Sequence, residues 1–242
     1  MKPDYTSLEL PPPPADRPYV LVNMVMSADG KVVIEGTEKG IGSATDQRLM
    51  REIRVNADVI LTGAGTLRIN GTSPRLGDLA LEGLRLARGK PRLPTSAVLS
   101  RGGDLPLDRV FFTARDFDAV VYLSSAAPKR RRHAIIATGR PLHEVPERGE
   151  IPAMLRHMRR ELGAGVLLVE GGPETNAEFF RLGAVDEYFL TVGPVIVGGR
   201  ETLTAVAGGE PMTRDTATRL DLVSAVPNPE TGEVYLRYRV RR

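Results

Sequence analysis

The chain has 242 residues, 41% of them hydrophobic, enough to bury a substantial core in one large domain or two small ones. It has no cysteine, which excludes disulfides, thiolate nucleophiles and cysteine-ligated zinc or iron–sulfur clusters, and its three histidines (His133, His143, His157) lack metal-ligand spacing. A formal charge of +3 suits an anionic small molecule rather than nucleic acid. With no long apolar run and no leader-like start, the expectation is a cytoplasmic protein that touches no membrane.

In chain order, residues 1–17 carry Pro11, Pro12, Pro13 and Pro14 in a row, which predicts a flexible, extended arm outside the core. "PYVLVNMVM" reads as a strand and "SADGK" as the turn that ends it. "SATDQRLMREIR" opens with Ser43 three residues before Asp46, a capping-box-like start, and sets Leu49, Met50 and Ile53 on one helical face. "DVILT" is the next strand and runs straight into "GAGT". Residues 68–94 have weak periodicity and read as a long active-site loop with a short helix in it. "SAVLS", "RVFFT", "AVVYLS" and "AIIAT" read as four short strands. The spacing of Ile151, Met154, Leu155, Met158 and Leu162 predicts a helix ended by Gly163 and Gly165. "GVLLVEGG" and "EYFLTVGPVIVGG" are strands again. "RLDLVSAV" and "VYLRYRVRR" alternate around "PNPETG" as an antiparallel hairpin. Strands alternating with helices predict an α/β fold of three layers, a mixed central sheet flanked by helices and closed by the C-terminal hairpin, with residues 18–242 as a single domain.

Open α/β sheets bind ligands at the carboxyl ends of their strands, and two glycine turns lie at such ends. One is Gly63, Ala64, Gly65, Thr66; the other is Gly171, Gly172, Pro173. Small residues before a helix start let backbone N–H groups approach an anion, and Thr175 and Asn176 stand where a helix N-terminus would add donors. Neither turn has the G-x-G-x-x-G or P-loop spacing, so on these grounds a phosphate cradle and a tight structural turn both remain open. After "AVLS", Ser100 and Arg101 offer a hydroxyl and a guanidinium side by side, a phosphate-monoester pair or an exposed strand-end arginine. Glu170 is either a carboxylate satisfying nearby N–H groups or one that orients substrate hydroxyls. Arg54 is either a substrate-phosphate ligand or a helix C-terminal charge. The basic run Lys129, Arg130, Arg131, Arg132 reads as a solvated face, because no aromatic residues interleave with it.

Taken together, "NMVMSADGK", "REIRVNADVILTGAGTLRINGTSPRL" and "LLVEGGPETNAEFFRLGAVDEYFLTVGPVIVGG" resemble, in order and spacing, the reductase domain of riboflavin biosynthesis. This is the pyrimidine reductase fused to a deaminase in many bacteria, and it shares the dihydrofolate reductase fold. The resemblance covers most of the chain from Pro18 onward, and E-G-G-P followed by D-E and G-P-x-x-x-G-G is its most specific part. It implies an NADPH-dependent reductase, a homodimer, that transfers hydride to C1′ of a phosphorylated ribosylamino-pyrimidine and leaves a ribityl chain. Carried over by position, it implies that Val25, Gly63, Thr66, Asn70 and Ser100 touch NADPH, with Gly171, Gly172, Pro173, Glu174, Thr175 and Asn176 around its pyrophosphate. "VLSR" is similar to the strand end by which dihydrofolate reductases hold the 2′-phosphate of NADPH, which adds Arg101. On the substrate side the resemblance implies Arg54, Leu76 and Glu170, with Ser27 and Asp29 shaping the loop over the nicotinamide. It names no general acid. Asn70, Gly71, Thr72, Ser73 and Pro74 stand where the family has Asp-Asp-Pro, and "SADG" replaces "SLDG", so a paralogous reductase acting on dihydrofolate or another pterin-like heterocycle is the alternative. The zinc signature of the deaminase is absent.

Overall fold

The computed structural model describes residues 2–242. In chain order its elements are β1 (Tyr19–Ser27), α1 (Ala44–Arg54), β2 (Val59–Gly63), α2 (Ala64–Asn70), α3 (Leu79–Ala87), β3 (Thr95–Ser100), α4 (Val110–Thr113) and β4 (Ala119–Ser124). There follow α5 (Lys129–Ala137), β5 (Leu142–Val145), α6 (Glu150–Arg160), β6 (Val166–Val169), α7 (Pro173–Arg181), β7 (Glu187–Gly193), β8 (Leu220–Asn228) and β9 (Glu233–Val240). The strands form one mixed sheet of nine in the order β5-β4-β3-β2-β6-β1-β7-β9-β8, with the antiparallel C-terminal hairpin at one edge. This is the mixed α/β architecture expected from the alternating pattern.

By packing, the chain divides into two compact units, one of Met1–Ser7, Val20–Ile53 and Val169–Arg242, the other of Leu8–Tyr19 and Arg54–Leu168. In the first, β1 and β7 run parallel with Ser27 opposite Gly193, and β7 pairs antiparallel with β9. Glu187 on β7 is buried, and its charge is met by Arg237 at 2.7 Å and Arg239 at 3.1 Å. A buried carboxylate is tolerated only with such partners. Helix α1 starts where Ser43 Oγ accepts from the Thr45 and Asp46 amides, at 3.0 and 3.4 Å, and buries Leu49 and Ile53.

In the second unit β2, β3, β4 and β5 are consecutive parallel neighbours, so Gly63, Ser100 and Ser124 end on one edge. The core there gathers Val55, Leu67, Leu76, Val98, Phe111, Phe112 and Val121. Arg85 is fully buried and its Nη1 donates to the carbonyls of Arg54, Val55 and Ala57. These are carbonyls at and just beyond the end of α1, the place where a cation is favoured. Burial pulls its guanidinium down to about 10.

Several elements differ from the sequence expectation. "RVFFT" holds helix α4 and "AIIAT" is the end of α5 rather than a strand; a five-residue apolar burst carries no period long enough to separate the two forms. Residues 68–94 are, as expected, mostly loop with a helix in it: α2 ends at Asn70, and α3 follows, capped by Asp78, which accepts from the Ala80 amide at 2.8 Å. "EYFLTVGPVIVGG" is strand only to Gly193, and "LHEV" is a strand too short and polar to stand out. The proline arm does contribute to the core. Tyr5 is 5% exposed and meets Phe189 edge-on at 5.1 Å, while its amide and Lys2 both donate to Glu52.

Candidate active site

In the first unit the glycine turn after β6 has the backbone an anion cradle needs. Gly171 sits at φ +81°, which L side chains rarely adopt, and a Cβ there would come within 3.3 Å of Met24 Sδ. Gly172 is the extended N-cap of α7, no side chain caps the helix, and Pro173 occupies its first turn. The first-turn amides of Glu174 and Thr175 therefore lack intrahelical partners, at the positive end of the helix dipole. Asn176 is turned away from that role: it is fully buried and its Nδ2 donates to the Ala205 carbonyl at 3.0 Å. Glu170 is half-buried just before the turn.

At the end of β1 the structure brings Ser27 and Asp29 together. Ser27 Oγ donates to Asp29 Oδ1 at 2.5 Å and accepts from the Lys31 amide at 2.8 Å. The two Asp29 oxygens also accept from the amides of Val197 and Gly198 at 3.1 and 2.7 Å. This carboxylate is saturated by donors, and the Ser27 hydroxyl followed by the two amides pulls it down to about 2. Its geometry is that of a clasp between the turn after β1 and the loop after β7. Val25, two residues before Ser27, is half-buried and pairs with Thr191.

Sequence reasoning missed a second carboxyl in this unit. Asp46, in the first turn of α1, was visible only as part of a capping box. The structure instead gives its side chain a hydrogen bond from Thr191 and places Oδ2 so close to Gly42 that a Cβ there would stand 2.5 Å away, with Val25 Cγ2 at 3.1 Å from the same point. Burial, opposed by Thr191 and reinforced by the charge of Glu233, raises Asp46 to about 6. Nothing local in the sequence announces this, because Thr191 and Glu233 come from distant strands.

In the second unit Gly63 ends β2 and is the extended N-cap of α2, which has no side-chain cap either. Thr66 lies in the first turn of that helix and Asn70 at its end. On the neighbouring strand end, Ser100 Oγ accepts from the Gly103 amide at 3.0 Å and holds the turn after β3. Arg101 is largely exposed, with Nε donating to Glu150 at 2.6 Å. Arg54 Nη1 donates to the Arg75 carbonyl at 2.8 Å, and Leu76 is fully buried in the apolar core, a packing position. The segment that departs from the family pattern is pinned down: Thr62 Oγ1 donates to Thr72 Oγ1, and Arg75 forms a two-pronged pair with Asp116 at 2.8 Å on each prong. The basic run opens α5, where Arg131 donates to the Gly102 carbonyl and Arg132 pairs with Glu144 at 3.1 Å. Among the described residues no group of three or more acidic or histidine side chains is placed to hold a metal, and no helix is long and apolar enough to cross a membrane.

A mixed sheet with glycine N-caps directly behind two of its strands puts the chain in the class of α/β folds that bind ligands at the carboxyl ends of their strands. Comparison with known proteins agrees and goes further. The family model of the RibD C-terminal domain matches residues 18–229, and the chain belongs to that family. It is 31% identical over 199 residues to the 2,5-diamino-6-ribosylamino-4(3H)-pyrimidinone 5′-phosphate reductase of Aquifex aeolicus, covering 80% of this chain and 84% of that one. Among solved structures it is similar to a pyrimidine reductase-like protein from Corynebacterium diphtheriae, with a TM-score of 0.83 at 23% identity over 94% of this chain and 93% of the other. A dihydrofolate reductase from Enterococcus faecalis, solved with NADP(H), shares the fold at a TM-score of 0.52 and 14% identity, covering 93% of this chain and 97% of that one.

Proposed function

We propose that the protein reduces a ribosylamino-pyrimidine 5′-phosphate of riboflavin biosynthesis to its ribitylamino product with NADPH as hydride donor, as a cytoplasmic homodimer. The resemblance read from the sequence and the name of the Aquifex relative support the reaction. The single structural observation that carries it is the Gly171–Gly172 turn, whose left-handed and extended backbone leads into an uncapped helix. Dihydrofolate as substrate finds no comparable support, since the likeness to dihydrofolate reductase lies in the fold alone.

When bound, the nicotinamide supplies the hydride; the chain supplies binding and orientation. The amides of Glu174 and Thr175 would receive the pyrophosphate. Gly63, Thr66, Ser100 and Arg101 remain the further cofactor residues implied by the family resemblance. Ser27 and Asp29 act on the loops rather than on the ligand, because their polar atoms are engaged with each other and with Lys31, Val197 and Gly198. Arg54 and Glu170 remain the substrate-side residues implied by the family.

Incubating the purified protein with NADPH and the pyrimidine phosphate tests the reading. The expected result is oxidation of one NADPH per pyrimidine reduced; oxidation with dihydrofolate but not with the pyrimidine contradicts it. Gly172→Val is expected to abolish calorimetric NADPH binding while the thermal melt stays cooperative, because its φ of −75° accommodates a side chain that would then stand in the anion's place. Undiminished binding by this variant would remove the turn from the cofactor site.

A further inference from the structure

The reaction adds one hydride and one proton to the substrate, and nothing above says where the proton comes from. We propose that Asp46 is the proton donor, delivering its carboxyl proton to the ribose ring oxygen as the ring opens. The proposal rests on the pyrimidine reductase reading.

The geometry lies within the first unit. Asp46 is half-buried in the first turn of α1, and its carboxyl packs against the Cα of Gly42 at a point that Val25 Cγ2 also approaches. Val25 is the residue of β1 that the family resemblance puts on the cofactor, and Thr191, which pairs with Val25 across the sheet, hydrogen-bonds the Asp46 carboxyl. The charged group that acts on Asp46 is Glu233 on β9.

These two carboxyls have opposite surroundings. Glu233 accepts from the Ser43 amide at 2.6 Å, Ser43 Oγ at 2.7 Å, Thr231 Oγ1 at 2.9 Å and the Tyr235 hydroxyl at 2.5 Å. Although burial opposes it, those donors hold Glu233 below the usual carboxylate range. Asp46 has the Thr191 hydroxyl against burial and the Glu233 charge, and titrates at about 6. Environments that push two neighbouring acids apart in this way assign the proton to one of them, and it is Asp46. A carboxyl raised in this way keeps a proton closer to neutral pH than an ordinary aspartate does.

The step balances. The C1′–O4′ bond breaks with its electron pair going to O4′, which takes the proton from Asp46, while the lone pair of the exocyclic amine forms the C1′=N bond. Hydride adds to C1′ and the π pair returns to nitrogen. Asp46 regains a proton from solvent.

The test compares wild type, Asp46→Asn and Asp46→Glu across pH 5 to 9. Wild-type kcat/KM is expected to fall above pH ~6 as Asp46 ionises, and Asp46→Asn to lose roughly 10²- to 10⁴-fold together with that limb. Asp46→Glu should restore part of the rate and the limb. Two readouts do not depend on turnover. The Asp46 carboxyl carbon of the free wild-type protein should titrate by NMR near 6, and Asp46→Asn should bind NADPH calorimetrically as the wild type does. Full activity of Asp46→Asn with the limb intact, or a wild-type titration near 4, overturns the proposal. A wild type that binds NADPH yet leaves the pyrimidine unreduced overturns the proposed reaction itself, and the proton donor with it.

Discussion

Asp29 and Asp46 lie in the same packing unit, each near an end of β1's neighbourhood, and they have been given opposite chemistry. Asp29 is exposed but saturated: one hydroxyl and two amides point at its oxygens, and it is pulled to about 2. Asp46 is half-buried and underserved, and it is raised to about 6. The difference teaches that burial with few donors keeps a carboxyl able to carry a proton, whereas an exposed carboxylate met by several donors is fixed as a charge. It also separates two roles, holding a loop in place and moving a proton.

That separation can be attacked at three points. The largest expected effect is that of Asp29→Ala. It frees the loop that begins after Gly193 from the turn after β1, and misplacement of a loop over the reacting groups by ~1 Å costs about a hundredfold in kcat/KM. The pH limb near 6 should stay where it is, because Asp46 is untouched; a limb that vanishes with Asp29 would assign the proton to the wrong carboxyl. Smaller is the effect of Thr191→Val, which removes the one hydroxyl that favours the Asp46 carboxylate. A charge-assisted hydrogen bond of about 1.5 kcal/mol corresponds to roughly one pH unit, so the limb should move upward by that amount. A limb that stays or moves down would show that Thr191 does not act on Asp46. Smallest, and visible only in acid, is the release of the clasp. The pKa of Asp29 in the folded protein lies below its ordinary value near ~4, so the stability it adds is complete above ~4 and is lost as pH falls through about 2. Hydrogen exchange at the Val197 and Gly198 amides should accelerate across that window beyond the intrinsic trend; unchanged protection would mean that the amides do not depend on the charge.

Much of this molecule is legible in its sequence where a signal is long or chemically specific. Strand β1, helix α1, helix α6 and the C-terminal hairpin follow from periodicity and turn residues, and the glycine turns follow from being placed directly behind apolar strands. The misread pieces are short. Val110–Thr113 and the end of α5 are apolar bursts whose helical form is imposed by packing, since Phe111, Phe112 and Ile135 are fully buried or nearly so. The proline run hid the fact that Tyr5, ahead of it, has a core position against Phe189.

The candidate site divides in the same way. Gly171 and Gly172 are legible because their backbone demands are local, and Ser100 because a strand ends on it. Asp29 was legible as a residue near the site but not as a clasp, since its partners Val197 and Gly198 lie far along the chain. Leu76 looked like a ligand residue because of the motif around it, and the structure puts it in the core. Asp46 was the hardest to find. Three residues after a serine at a helix start, an aspartate has an ordinary explanation in capping, and only β7 and β9 folding beside it provide another.

The central claim is that hydride passes to C1′ of the ribosylamino-pyrimidine. The most direct measurement is a single turnover with NADPH deuterated at nicotinamide C4, on the transferred face, followed by mass spectrometry and NMR of the product. The account predicts one deuterium, carried on the carbon that was C1′ of the ribose. Deuterium found elsewhere in the product, or no transfer to the pyrimidine while the labelled coenzyme stays reduced, would contradict it.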